Sequence, residues 1–316
     1  MKTLIVGGTG FLGRTLTGKL VAQGHEVVIV DIAPAGSAFE PYGKAVTYLR
    51  GDITHFDEIS DAMHAARPDR AVNLSYYLAS DVPPHRALRL NVLGMDNFFE
   101  AARQAGVPHT IFASSFIVNG DQRNFGERAI TEDDHLYGFD QYSVHKGFNE
   151  WQARDYADKY GMTITGIRPA NVTGFDKIHG SMDHVRCVVL PARGQAVEFE
   201  HKEAIWCPIH IDDAAEALLR IVLAQKPKHR IYNTGGTPIR MGAIADIVRS
   251  YLPDARISFR HETGGLYSNP INYLIDNSRL VEEFGVQIPP FEKRLLQIIN
   301  DVRQQEGLEP IRPKSA

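Results

Sequence analysis

The stretch Leu4-Ile5-Val6-Gly7-Gly8-Thr9-Gly10-Phe11-Leu12-Gly13 decides the fold. A short β-rich apolar run ends in glycines, and Leu12, Leu16 and Leu20 then recur on one helical face until Gly24. The loop satisfies Gly-x-Gly-x-x-Gly through Gly8, Gly10 and Gly13, and also Gly-x-x-Gly-x-x-Gly through Gly7, Gly10 and Gly13. Glycines at such a turn let the backbone approach a pyrophosphate, and the helix N-terminus behind them supplies donors and partial positive charge. A second apolar run, Val27 to Val30, leads to Asp31, 18 residues beyond Gly13. That is close to the roughly 20 expected of an acid that binds an adenosine ribose. A carboxylate there favours NAD and repels the 2′-phosphate of NADP; no Lys or Arg follows before Lys44. Asp52, at the end of the third strand, either accepts from the adenine amino group or caps the next helix.

Outward from this loop, short strands alternate with helices. Strands are predicted at Ala45–Leu49, Ala71–Leu74, Ile111–Ala113 and Thr163–Ile167, with helices at Phe56–Ala66, Asn91–Gln104 and Tyr142–Tyr160. Apolar runs without polar alternation suit strands covered on both faces, so the fold class is α/β, a Rossmann-type doubly wound parallel sheet. Beyond Pro169 the alternation breaks down, then resumes with a helix at Asp212–Ala224 and a strand at Ile231–Asn233. Helical stretches at about 240–251 and 291–304 complete the pattern. The expected domains are therefore 1–172, with about 206–236 returning to it, and a smaller C-terminal cap for substrate built from 173–205 and 237–316.

Composition fits a soluble globular protein. The 316 residues are 43% apolar and 23% charged, and 34 basic against 38 acidic side chains leave a net charge of −4. A surface that neutralises a phosphate backbone needs a basic surplus, so nucleic acid is not an expected partner. No apolar run approaches the roughly 18 residues of a membrane span. Met1 opens directly into a strand, which leaves no room for a signal peptide, and two cysteines cannot build a disulfide framework. A cytoplasmic protein is expected.

Tyr142-Ser143-Val144-His145-Lys146 places a phenol and an ammonium four residues apart, on one helical face. It follows Ser114-Ser115 at the end of the fifth strand. The order of motifs now resembles an extended short-chain dehydrogenase/reductase of the NAD-dependent epimerase/dehydratase family. After the glycine loop come Gly51-Asp52, Asn91-Val92-x-Gly94-x-x-Asn97, Ser114-Ser115-x-x-Val118-x-Gly120 and Tyr142-x-x-x-Lys146. Arg168-Pro169-x-Asn171-Val172 and His210-Ile211-Asp212-Asp213 follow, and the likeness runs to about Ile299. The resemblance implies a catalytic Ser115, Tyr142 and Lys146. It implies NAD contacts from Gly7, Thr9, Gly10, Phe11, Leu12, Gly13, Asp31, Asp52, Ile53, Leu74, Tyr76, Asn91, Tyr142, Lys146, Pro169 and Val172. Ser115, Tyr77, Phe116, Asn171 and Trp206 are the expected substrate residues.

The triad also has a physical case. A tyrosine of pKa about 10 must drop by about three units, or about 4 kcal/mol, to act as a base near neutrality. One cation at about 4 Å supplies roughly that at an effective dielectric of about 20. Lys146 and a positive nicotinamide ring would suffice, while Ser115 holds the substrate oxygen and Lys146 also binds the nicotinamide ribose.

Departures from the resemblance bear on the reaction. Dehydratases place Asp-Glu after the catalytic hydroxyl residue; here Phe116-Ile117 follow Ser115, so dehydration is not expected. Nucleotide-sugar epimerases often set an arginine four residues before the His210 position, where this chain has Trp206. An indole cannot pair with a pyrophosphate. Val-Tyr-Gly has become Val118-Asn119-Gly120, and His-Leu-Ala-Ala has become Asn73-Leu74-Ser75-Tyr76. Trp206, Tyr76, Tyr77 and Phe116 either make a pocket less polar than a sugar diphosphate needs or pack in the core.

His184-x-x-Cys187 and Cys207-x-x-His210 have zinc-like spacing. The His210 segment already serves as a strand-to-helix junction, however, and thirteen histidines make such spacings easy to meet, so no metal is expected. The expected activity is NAD-dependent hydride transfer between a secondary alcohol and its ketone. The alternatives are an epimerase that retains NAD on a nucleotide sugar, and a catalytically silent NAD-binding regulator. The family commonly dimerises through the helices here at about 91–104 and 142–160. Phe98, Phe99, Phe148 and Trp151 would line that homodimer surface or else belong to the core. Tyr142→Phe is expected to abolish turnover while leaving NAD binding nearly intact in a titration; undiminished turnover would refute the assignment.

Overall fold

The computed structural model describes residues 1–78, 82–265 and 272–312. Its centre is a seven-stranded sheet of β1 (Lys2–Val6), β2 (Glu26–Asp31), β3 (Val46–Arg50), β4 (Arg70–Asn73), β5 (His109–Ala113), β6 (Ile164–Arg168) and β11 (Ile231–Asn233). Their order is β3-β2-β1-β4-β5-β6-β11, and every pairing is parallel. The chain leaves β1 in one direction for β2 and β3, and in the other for β4 onward. A crevice therefore opens between the ends of β1 and β4, where such folds bind their ligands.

Helices α1 (Phe11–Ala22) and α7 (Ile211–Leu223) cover one face of the sheet. Leu16, Leu20, Leu218 and Ile221 bury against Ile5, Ile29 and Val72 there. On the other face lie α2 (Phe56–Ala66), α4 (Met95–Gln104) and α5 (Gln141–Tyr160). Phe98 and Phe99 pack with Leu4, Val28 and Phe112 in the core beneath α4. The predicted helix from Asn91 begins earlier, with α3 (Pro84–Leu88) and a π-turn at Arg89–Gly94 leading into α4.

The cap has its own core. It joins α6 (Asp183–Ala192), α8 (Met241–Tyr251) and α10 (Glu292–Gln305) through Val188, Ile244, Leu295 and Ile298. A parallel pair, β8 (Val197–His201) and β13 (Ile257–His261), flanks these helices, and β9 (Ile205–Trp206) pairs with β12 (Ile239–Arg240). The remaining short strands, β7 (Asn171–Thr173) and β10 (Pro208–His210), pair beside the crevice. α6 carried no clear period in the sequence because seven of its ten residues are buried, and β8 is only five residues long.

One stretch within 237–316 packs against the sheet. Leu280 of α9 (Ser278–Phe284) and Val286 pack with Ile5 and Tyr232 behind the sheet, and Ile275 bridges Ile130. Residues 275–286 thus rest against the sheet and its neighbouring loops. Of 237–316, residues 266–271 and 313–316 lie outside the described residues. No helix among the described residues is long and apolar enough to cross a membrane.

Candidate active site

The glycine loop turns at the crevice because no side chain fits there. Gly7 has φ of +76°, and a Cβ on it would fall 2.6 Å from Ser75 N, across the gap between β1 and β4. A Cβ on Gly13 would lie 2.6 Å from the Gly8 carbonyl oxygen. α1 begins at Phe11 with Gly10 as its cap and no side chain on its first amides, so the N–H groups of Phe11, Leu12 and Gly13 are open to an anion. Asp31 closes β2 beside them. Its Oδ2 accepts from Thr9 N at 3.1 Å and Thr9 Oγ1 at 2.6 Å, and its Oδ1 accepts from Ala33 N. Thr9 is thus engaged in holding the acid. Asp31 has no cationic partner among the described residues, which leaves acceptor capacity for ribose hydroxyls.

A cavity of about 290 Å³ opens here, lined by Gly7, Asp31, Asp52, Ile53, Ser75 and Tyr77. Asp52 lines the cavity, and its Oδ1 accepts from Thr54 N and Oγ1 in a turn that precedes α2, whose N-cap is His55 rather than Asp52. Arg86 and Arg89 also line this end and had no signal in the sequence. Tyr77, expected at the substrate, stands here instead, because Asn91 takes both polar groups of its peptide at 2.8 and 2.9 Å. Asn91 is fully buried and fixes the loop after β4; it lines neither this cavity nor the catalytic one. Gly94 and Asn97 serve the neighbouring loop. A Cβ on Gly94 would meet Ile53 at 2.9 Å, and Asn97 Nδ2 donates to Ile53 O.

The second cavity, about 670 Å³, brings together Ser115, Tyr142 and Lys146. Leu74, Tyr76, Phe116, Pro169, Asn171, Val172 and Trp206 line it as well. α5 starts where it does through a capping box: Asp140 accepts from Ser143 N at 2.7 Å, and Ser143 Oγ accepts from Asp140 N. Tyr142 therefore sits in the first turn and Lys146 one turn on. Of the two serines after β5, Ser114 donates to Glu150 at 2.5 Å, while Ser115 lines the cavity with Tyr142 and its Oγ accepts from Ile117 N at 3.4 Å. Glu150 in turn takes both edges of Arg168 at 2.7 and 2.8 Å, a pair with only 9% and 2% of its side chains exposed. Asn119 accepts from Arg168 and donates to the carbonyls of Asp134 and His135, which accounts for the departure from Val-Tyr-Gly.

The electrostatics differ from the sequence argument. Burial pushes the Tyr142 phenol up to about 12, opposed by its hydrogen bond with Ser115. Burial also pulls the Lys146 ammonium down to about 7, with Glu150 opposing. Lys146 Nζ donates to Ala113 O at 2.5 Å and stands 3.4 Å from the centre of the Tyr76 ring. Its distance to the Tyr142 ring centre is 5.8 Å. Lys146 Nζ is thus committed to Tyr76 and a carbonyl, and burial favours the protonated phenol of Tyr142.

The zinc-like cluster does not come together as a set of ligands. Cys187 lies in the cap core and Cys207 beside Ala170 and Ile209, while His210 Nδ1 accepts from Asp212 N. The sequence reading missed Lys177, Ser181 and Asp183 on the cavity wall and Glu150 behind it. The cap segment has no motif to mark them, and Glu150 is visible only as four residues past Lys146.

The sequence profile of the NAD dependent epimerase/dehydratase family matches residues 3–235. Protein CapI of Staphylococcus aureus is 25% identical over 289 residues, covering 80% of this chain and 84% of that protein. A UDP-glucose 4-epimerase of Corynebacterium glutamicum is 26% identical over 254 residues, 74% of this chain and 75% of that one. Among solved structures, the NAD complex of Thermus thermophilus UDP-glucose 4-epimerase superposes with a TM-score of 0.82 at 23% identity, over 96% of this chain and 99% of that one. The GalE-like L-threonine dehydrogenase of Cupriavidus necator gives 0.81 at 20% identity, over 97% and 100%. At these identities the two structures show the shared fold.

The buried lysine sets a pH signature. Its folded value lies below the ordinary 10.5, so between about pH 7 and 10.5 the unfolded chain binds more protons on Lys146 than the folded one. Stability carried by this group therefore rises with pH across that window. Lys146→Met removes the titration. Urea melts of both proteins are expected to show the variant's stability, relative to the parent, falling steadily from pH 7 to pH 10; a constant difference would contradict the buried ammonium.

Proposed function

The chain belongs to the NAD-dependent epimerase/dehydratase family, and from that premise we propose that it is a net oxidoreductase acting on a secondary alcohol and its ketone. The observation that carries this reading is the grouping of Ser115, Tyr142 and Lys146 around one cavity at the sheet's crevice. The cofactor is NAD, which when bound supplies the acceptor for a hydride and, in reverse, the donor. The glycine loop, the first amides of α1 and Asp31 fit it: a backbone cradle with no room for a Cβ, and a carboxylate with spare acceptor sites.

Ser115 Oγ would hold the substrate oxygen against Tyr142 Oη. In the reducing direction the neutral phenol gives its proton to the carbonyl oxygen, and a protonated tyrosine is what burial favours here. In the oxidising direction Tyr142 must receive the hydroxyl proton, which calls on the Lys146 ammonium to turn from Tyr76 toward the site. Phe116 and Ile117, following Ser115, offer no second acid and base for loss of water. Trp206 offers no charge to a diphosphate. The curated relatives named as UDP-glucose 4-epimerases favour the second reading, an epimerase that keeps its NAD. A silent NAD-binding regulator would have no use for the grouped triad.

The same reading takes residues 1–172, 206–236 and 275–286 as the NAD-binding body and the rest as a substrate cap, in a cytoplasmic homodimer. Phe98 and Phe99 are core, but Val144, Phe148 and Trp151 form an exposed stripe along α5, with Phe148 49% and Trp151 58% exposed. Leu88 and Leu93 extend that apolar surface on the adjacent element. An unpaired stripe of this kind on the family's pairing helix supports a two-fold four-helix contact.

Two measurements test these points. With NAD and a panel of secondary alcohols, NADH absorbance is expected to rise in proportion to ketone formed. Tightly retained NAD with no net NADH from any alcohol would transfer the assignment to the epimerase. Sedimentation should show a dimer that Phe148→Glu combined with Trp151→Glu converts to a monomer; an unchanged mass would remove this surface from the contact.

A further inference from the structure

The cap wall of the catalytic cavity carries polar atoms that have no use within the chain. Trp206 is 5% exposed and lines the cavity, and its indole Nε1 has no hydrogen-bond partner among the described residues. The ring lies 5.0 Å from that of His184, which is fully buried with neither ring nitrogen partnered among the described residues. Buried polar atoms are ordinarily satisfied, and these three nitrogens on two neighbouring rings have no partner among the described residues. Lys177 lines the same cavity. Its ammonium donates to Ser181 O at 2.9 Å, and among the described residues no carboxylate pairs with it.

Of the acids nearby, Asp176 is held by Arg14 at 2.5 Å and Asp140 caps α5, while Asp183 lines the cavity with Arg186 3.9 Å from it. The wall is consequently rich in donors. Lys177 has N–H groups beyond the one it gives Ser181, the indole has one, and a neutral imidazole offers one donor and one acceptor. One uncompensated cation with neutral donors beside it matches a single negative charge. A diphosphate would call for more cations than this wall contains.

We propose that the substrate is a hydroxy acid, or the corresponding keto acid, whose carboxylate is received by Lys177 and the Trp206 indole N–H, with His184 positioning the indole. The carboxylate end then lies at the cap wall, and the reacting carbon lies toward Ser115 and Tyr142 in the same cavity. This names the substrate class of the hydride-transfer reading and rests on it.

The chain has two tryptophans, so in a Trp151→Phe background all indole fluorescence comes from Trp206. That protein, saturated with NAD, is titrated with lactate, 3-hydroxybutyrate and 4-hydroxypentanoate, with their methyl esters, and with UDP-glucose. The acids are expected to change Trp206 fluorescence saturably, and the esters to give no change. Lys177→Met should weaken acid binding by roughly tenfold or more, and Lys177→Arg should restore most of it, with NAD binding checked as evidence of an intact fold. Equal binding of acid and ester overturns the proposal, as does a Lys177→Met affinity within about twofold of the parent. So does binding of UDP-glucose with none of the acids bound, or no binding by any acid of the series. Saturable, Lys177-dependent acid binding without NADH formation would instead fault the hydride-transfer reading and leave the carboxylate site standing.

Discussion

The buried ion pair between Glu150 and Arg168 holds the candidate site in register. It ties α5 to β6, and through Ser114 it also grips the end of β5. Three pieces of chain that are far apart in sequence thereby present Tyr142, Lys146 and Ser115 to one cavity. Pairs this deep are not a source of net stability, because desolvation offsets most of the attraction. Their effect is on geometry: losing one partner strands a charge in the core at a cost of about 3–5 kcal/mol, so competing placements of α5 are excluded. Asn119 belongs to the same network, which explains why an amide stands where relatives carry a phenol.

Burial gives the site a bias. Desolvation drives the phenol toward its protonated state and the lysine toward its neutral one, in both cases away from charge. The Tyr76 ring resolves the lysine's share locally by offering a π face to the ammonium. Tyr76 also contacts Tyr142 edge to face, at 5.4 Å between ring centres, so one aromatic residue touches both members of the pair. Its own hydroxyl is buried without a partner among the described residues. The bulk that replaces the small residue of this strand end in relatives thus reshapes the electrostatics of the triad as well as its volume.

The sequence made the body legible because its signals are local. Glycines that cannot accept a Cβ, strands buried on both faces and a capping Asp140 are readable within a few residues. Asn91 shows where that reading stopped. Its motif was visible, but its work, clamping the Tyr77 peptide, is a contact across 14 residues that no spacing rule specifies. Tyr77 was misplaced for the same reason. The cap was least legible because its elements are short and its core joins α6, α8 and α10 from widely separated segments. Lys177 illustrates the result, a lone cation in unpatterned sequence whose meaning depends on Trp206, 29 residues later.

The return of 275–286 to the back of the sheet affects how the chain can be made. β11 completes the sheet edge, and Leu280 and Val286 then cover Ile5 and Tyr232. A nascent polypeptide emerging from the ribosome therefore carries its first strands with part of their apolar back uncovered until residues 280–286 have been made. Chain termination before that segment would release a sticky intermediate rather than a smaller working domain.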